Sequence, residues 1–409
     1  MWSSCQLLLW SCLPQIGFTA ALPVATVGTI KVSVRECGAK GDGVADDSPA
    51  FQQAFEQAVT AEHAVVYIPA GTYRLDRPVA VKFAGAVGNG LLVLGDGQGV
   101  SVIHCHNTNG ALRIRNELCK TQITIRDLTL LATIPDAGTA LEVSSSLRGV
   151  RNYRTLTVQN VDMRGEDLPT RKYFSRGLYA VAQWRPLFQN VIFGGVLDPA
   201  LRANDLANDA LYHKPEFGLA ADWSYAPSFQ HCYAWACRTG YRVASRDLSE
   251  KERIEDGAFY RCTAVGTSIG IDIDTPGIMP QVVVDTCHLN CRDVGVRLRN
   301  RKFFHIVNCL FYGETSEQCA YTDIQLQNCW GGLISGNIFH EATLANLKQE
   351  PPSKRVSISI DKHSKDLLLS GNMFNAKGLG IAVEAGASGI KTANNQYINP
   401  HVTVQPGYR

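Results

Sequence analysis

Two aspartates separated by one residue, Asp272 and Asp274 in "GIDIDT", are the pair in this chain with the clearest chemical potential. On one face of a strand such neighbours lie about 6.5–7 Å apart. Glycosidic hydrolysis needs two carboxyl groups about 5–9.5 Å apart, one to protonate the leaving oxygen and one to act as base or nucleophile. Outward positions of the flanking strand patterns carry Arg242, then Arg297 and Arg299, then Asp323 and Gln325. The arginines could clamp carboxylates of an acidic sugar, since a guanidinium matches a carboxylate with two parallel hydrogen bonds. The competing reading is a surface ladder of Arg–Asp pairs across strands, each contributing a fraction of a kcal/mol.

A second candidate cluster is aromatic. "HKPEFGLAADWSYAPSFQHCYAWACRTGY", residues 213–241, holds Trp223, Tyr225, His231 and Trp235 beside the carboxylates Glu216 and Asp222. Aromatic faces can stack on sugar rings, or they can simply pin a loop to the body. "NIFHEA", with His340 and Glu341, offers a third acid or base.

These residues need a scaffold, and a repeat supplies it. From about residue 120 an apolar run ending in Asn, Cys or Asp returns at Asp127, Asn160, Asn190, Cys232, Cys262, Cys287, Cys309, Asn337, Asn372 and Asn395. Spacings run from 22 to 42 residues. Second strand patterns follow several of these, at Gly240, Gly270, Gly295, Thr322, Val356 and Gly380. Short alternating strands with no helix between them describe the coils of a parallel β-solenoid. Equivalent positions on successive coils would lie about 4.8 Å apart, stacking Cys232, Cys262, Cys287 and Cys309 into an interior ladder. The longest interval, 42 residues, implies a protruding insert at about 195–228.

Ahead of the coils stands "GAKGDGVADDSPAFQQAFEQA", residues 38–58. Its glycines allow tight turns, Asp47 or Ser48 can cap a helix, and Pro49 suits the first turn. Phe51, Phe55 and Ala58 then share one helical face, able to plug the open end of the solenoid. A calcium loop would need more oxygen ligands.

Together with "VVYIPAGTYRL" (65–75) and "LLVLGDGQGVSVI" (91–103), this segment resembles the start of the pectate-lyase-like β-helix superfamily. The similarity is to its group around rhamnogalacturonase and glycoside hydrolase family 28, which also includes phage tailspike depolymerases. The resemblance implies an all-β, right-handed parallel β-helix with an amino-terminal capping α-helix. It also implies a polysaccharide substrate in a groove on the flank of the coils. The NTD, DD, GHG and RIK elements of polygalacturonases are absent from the coil region, which disfavours ordinary pectin hydrolysis. The group includes hydrolases, lyases, epimerases and inactive members, so fold alone does not select a reaction.

The expected organisation is an arm or signal-like segment over 1–30 and one β-helix domain over 31–409. Within that domain the cap and first coils occupy 31–120 and the repeat coils 121–409. The first thirty residues are apolar but lack the basic start of a secretory signal, and no later run reaches the length of a membrane span. A net charge of +2 gives no support for nucleic-acid binding. Cys287 and Cys291 lack a partner pair for zinc, and no metal or other cofactor is expected.

The leading expectation is a glycosidase acting on an extended, possibly acidic polysaccharide. Asp272 and Asp274 would be catalytic. Arg242, Arg297, Arg299, Asp323, Trp223, Trp235, Tyr225 and His231 would bind substrate. A polysaccharide lyase on uronic acids and a non-catalytic, tailspike-like glycan-binding module are the alternatives. A secreted, extracellular or virion-associated monomer or homotrimer fits each of them.

Overall fold

The computed structural model describes residues 29–83, 89–146, 153–166, 171–196, 215–245, 254–314, 321–342, 355–399, 402–403 and 405. Among these, 33 strands join into one hydrogen-bonded array in which the registered strand pairs are parallel. The chain winds so that each coil adds one strand to each of three sheets, giving a three-sided parallel β-helix. The first sheet starts with Thr29–Ser33 and His63–Ile68, and the second with Asp42–Asp46 and Gly71–Leu75. The third starts with Val79–Phe83 and Leu112–Asn116 and continues through Thr139–Ser144, Arg176–Val181, Phe217–Asp222 and Thr239–Ala244.

Alternation drives this architecture. Strand His63–Ile68 alternates half-buried and buried positions, and Val79–Phe83 alternates buried and exposed ones. Inside, like stacks on like: Phe188, Phe229 and Phe259 are spaced by 4.9 and 4.8 Å. Phe311, Phe339, Phe374 and Tyr397 follow at 5.1, 4.9 and 5.0 Å. Such spacing lets aromatic contacts add to burial at every coil.

The cysteine ladder forms as the repeat predicts, and hydrogen bonds explain its passage into asparagine. The backbone N–H of Cys287 donates to Cys309 Sγ at 3.4 Å, and that of Cys309 donates to Asn337 Oδ1 at 2.9 Å. The N–H groups of Asn337 and Asn372 donate to the Oδ1 atoms of Asn372 and Asn395 in turn. Thiol and amide thus do the same work, supplying an acceptor to a corner N–H that would otherwise be buried unpaired.

The amino-terminal helix, α1, spans Ser48–Val59, with Phe51, Phe55 and Ala58 fully enclosed against Thr29–Ser33, His63–Ile68 and Val79–Phe83. Asp47 occupies the N-cap position, but its carboxylate turns away from the helix. It accepts the N–H groups of Lys40 and Gly41 at 2.6 and 3.1 Å. Asp46 accepts the Ser48 N–H at 2.9 Å, and Asp42 accepts those of Val44 and Ala45, both at 2.9 Å. All three aspartates therefore tie down the loop that seats the cap.

The insert expected over 195–228 is narrower than its sequence suggests. Phe217–Asp222 is a buried strand of the third sheet, and residues 197–214 lie outside the described ones. The arm over 1–28 lies outside them as well. Among the described residues no helix is long and apolar enough to cross a membrane.

Burial raises the Cys262 thiol well above its usual value; hydrogen bonding between neighbouring thiols, with burial, does so at Cys287 and Cys309. Alkylation of the native protein at mildly alkaline pH should therefore leave Cys232, Cys262, Cys287 and Cys309 unmodified, and unfolding should expose all four. Mass spectrometry reads the result, and labelling of any of the four in the native state would contradict an interior ladder.

Candidate functional site

The outer face of the third sheet carries two parallel columns of side chains fixed by strand register. One runs Arg113, Glu142, Tyr179, Ala220, Arg242, Asp272, Arg297, Gln325 and Ser359. The other runs Lys82, Arg115, Ser144, Val181 and Asp222, and resumes as Ala244, Asp274, Arg299 and Gln327. Every cation here contacts a carboxylate.

Asp272 illustrates the pattern. Arg297 grips it with Nη2 at 2.6 Å and Nε at 3.0 Å, and Arg299 adds Nη2 at 2.9 Å. Arg299 also reaches Asp274 at 2.9 Å. Burial pushes the Asp272 carboxyl up, but the two guanidinium groups outweigh it and hold it below the usual range. A carboxylate held in this way organises its arginines and is a poor proton donor. The Arg–Asp ladder is therefore what the structure makes of the Asp272–Asp274 stripe.

The ladder changes character at the coils between Leu112 and Ala244. Small side chains, Ser144, Ser145, Ser146 and Ser245, fall among longer ones around a depression of about 450 Å³. Arg115, Glu142, Tyr179 and Asp222 line it together with these serines. The Asp222 side chain is only 9% exposed. Arg242 binds it at 2.6 and 3.3 Å and reaches Glu216 at 2.9 Å, while packing its guanidinium 4.3 Å from the Phe217 ring.

At Asp222 the balance is opposite to that at Asp272. Burial wins over the Arg242 guanidinium and the Ala244 N–H, and the carboxyl is raised. Tyr179 is also raised, by burial and then by the Asp222 charge, with Glu142 adding to it. Glu142 pairs with Arg113 at 3.3 Å, and Arg115 pairs with Glu117 at 2.8 Å. The depression thus brings a desolvated carboxyl, a protonated phenol and a second, half-buried carboxylate to one place.

Other expected site residues are spread around the perimeter. Asp323 is fully enclosed and does not reach the groove. Its register places it opposite Gly295, where a Cβ would approach the Asp323 carbonyl to 2.5 Å and the Phe311 ring to 2.8 Å. Side chains of this column point inward, and Asp323 instead meets the buried Arg355 at 2.6 and 2.8 Å. Tyr225 stacks on Trp184 at 4.1 Å and donates to Asp256 at a corner between the third and first sheets. Trp223 is half-buried at the end of the Phe217–Asp222 strand.

His231 is exposed at the opposite corner, edge-on to Tyr260, and Trp235 lies half-buried on the second sheet. His340 stacks on Tyr312 on that same sheet at 5.2 Å, while the Glu341 side chain lies outside the described ones. The aromatic set is thus not one platform. Glu142, Tyr179 and Arg115 do not stand out in the sequence because their strands, "ALEVS", "GLYAV" and "LRIRN", precede the second strand patterns that begin at Gly240. The likeness of "GLYAV" to "GYRVA" puts Tyr179 at the position of Arg242.

A family model described as rhamnogalacturonase A/epimerase, pectate lyase-like, matches residues 31–242, more than half of the chain and all of the depression's lining but Ser245. The chain belongs to this family. One curated relative, the mannuronan C5-epimerase AlgE4 of Azotobacter vinelandii, is 45% identical over 65 residues. That match covers 16% of this chain and 11% of the relative, so the chain spans only a small part of its length. Among solved structures, the A-module of the A. vinelandii epimerase AlgE6 superposes with a TM-score of 0.62 at 17% identity, covering 91% of this chain and 98% of that one. The Streptococcus pneumoniae surface protein and adhesin PfbA gives 0.60 at 15% identity, covering 91% and 99%. At these identities the likeness is one of fold, and it extends to an epimerase module and an adhesin alike.

Substituting Asp272→Asn should lower stability by about 2–3 kcal/mol, because it leaves two partly buried guanidinium groups short of a counter-charge. The wild-type carboxyl titrates lower folded than unfolded, so its stabilisation is complete above about pH 4 and is lost as pH falls through the folded value. Denaturant midpoints measured from neutral to acid pH should show that acid-side loss reduced in the variant. An unchanged profile would contradict the ladder's role.

Proposed function

We propose that this chain hydrolyses glycosidic bonds of an extended polysaccharide lying along the third sheet, with the scissile bond over the depression. The observation that carries this reading is the contrast between the two carboxyl groups lining it. Asp222 is almost dry and shifted toward its protonated form, while Glu142 remains ion-paired and partly open to water.

Asp222 gives its proton to the leaving glycosidic oxygen. Glu142 takes a proton from the water whose oxygen bonds to the anomeric carbon, and the two sugars separate with one water added. Arg242 fixes the Asp222 rotamer through two hydrogen bonds. The serines offer hydroxyl partners to sugar hydroxyls. A polymer substrate implies action outside the cell or on a virion surface.

Tyr179 favours a second reading, proton transfer at C5 of a uronate leading to elimination or epimerisation. Its raised phenol is a proton donor at neutral pH, beside two carboxylates that could accept.

Incubation with neutral and acidic polysaccharides, reading reducing ends and near-ultraviolet absorbance, tests both. Hydrolysis predicts reducing ends without absorbance, a loss of about 10²–10⁴-fold in Glu142→Gln and in Asp222→Asn, and retained activity in Asp272→Asn under conditions where it is folded. An absorbing, unsaturated product would replace this reading with the second. Full activity in both depression variants would overturn the placement of the site.

A further inference from the structure

We infer that the polymer accepted by this groove is uncharged. The inference rests on the placement of the site given above but not on the reaction performed there. It follows from what the charged side chains of the third sheet already do.

The face carries seven cations, yet each is spent on a carboxylate of the same face. Lys82 and Arg115 share Glu117 at 3.3 and 2.8 Å. Arg113 holds Glu142, and Arg176 holds Glu216 at 2.6 Å. Arg242 spans Glu216 and Asp222, Arg297 holds Asp272, and Arg299 spans Asp272 and Asp274. Six carboxylates thus stand against the seven cations. Any anionic sugar would have to displace a carboxylate that is attached to the protein and already positioned, and would gain little by the exchange.

Sign also alternates along the axis. Arg242, Asp272 and Arg297 are successive members of one registered column, about 4.8 Å apart from coil to coil. A polyuronate carries a carboxylate on every sugar, so it cannot match a stretch of track whose sign alternates over these three coils. The depression itself is worse for such a chain. Among the described residues its lining holds one guanidinium, Arg115, already paired with Glu117, beside the ion-paired carboxylate of Glu142. The Glu142 carboxylate has the same sign as a uronate and acts as a filter against it.

A neutral sugar fits the same surface well. Each hydroxyl both donates and accepts, so a single ring can accept from a guanidinium N–H and donate to a carboxylate. Ion pairs fix these donors and acceptors before the ligand arrives, reducing the ordering cost of binding.

Affinity electrophoresis of the full chain tests this, in gels containing a neutral β-glucan, a neutral fructan, alginate or polygalacturonate, at low and high salt. The wild type should be retarded by at least one neutral polymer, to the same extent at both salt levels, and by neither polyuronate. Asp272→Asn, which frees guanidinium contacts of Arg297 and Arg299, should gain retardation by the polyuronates that disappears at high salt. Should that variant fail to fold, Asp274→Asn, whose carboxylate is half exposed, frees a contact of Arg299 and should show the same change to a smaller degree.

Salt-sensitive retardation of the wild type by a polyuronate, or no retardation by either neutral polymer, would overturn the inference. Retardation by a neutral polymer without its cleavage would sink the hydrolytic reading and leave this one standing. Cleavage of a polyuronate to reducing ends without near-ultraviolet absorbance would do the reverse.

Discussion

Parallel stacking at a fixed separation is the constraint on which the rest of this molecule depends. Each coil presents the next with a strand edge in register, about 4.8 Å away. Every side chain therefore meets the residue at its own position in the neighbouring coils. Inside, that makes ladders of rings and thiols, because apolar groups gain by touching their own kind. Outside, it favours opposite charges across coils, and where Lys82 and Arg115 fall side by side both reach Glu117. Arg242, Asp272 and Arg297 alternate because a column of arginines at that spacing would repel itself along its whole length.

The same constraint accounts for what the amino-acid sequence reveals and what it hides. Coil repeats, the cysteine ladder and the capping helix are legible because each rests on local alternation or spacing. The fate of Asp323 is not. Its strand alternates correctly, but its position falls in a column otherwise held by glycines at 240, 270 and 295, and only inter-coil register shows that this column points inward. Asp272 and Asp274 are legible as a pair of carboxylates. That Asp272 is saturated depends on Arg297 and Arg299 one coil away, with geometry that spacing does not convey. The aromatic residues between 223 and 235 look like one cluster in the linear chain, but each turn of the coil carries them to a different side of the prism.

Function enters where the ladder is interrupted. A continuous mat of ion pairs is rigid and self-satisfied, and offers a polymer a long, patterned surface. At Ser144, Ser146 and Ser245 the pattern thins, and the depression opens against Tyr179 and Asp222. Asp222 keeps its arginine but lies deeper than Asp272, and the extra desolvation reverses the direction of its shift. Asp272 also holds a second guanidinium, Arg299, where Asp222 has Arg242 alone, so burial and the number of arginine partners together give the two aspartates different chemistry.

The central claim is that substrate occupies this depression and not the Asp272–Asp274 stripe or the aromatic second sheet. A crystal structure of the Asp222→Asn protein soaked with a neutral oligosaccharide tests it most directly. The account predicts a sugar ring over Tyr179, with its glycosidic oxygen facing position 222 and its anomeric carbon facing Glu142. Sugar bound over Asp272 and Asp274, or against Trp235 and His340, would contradict it.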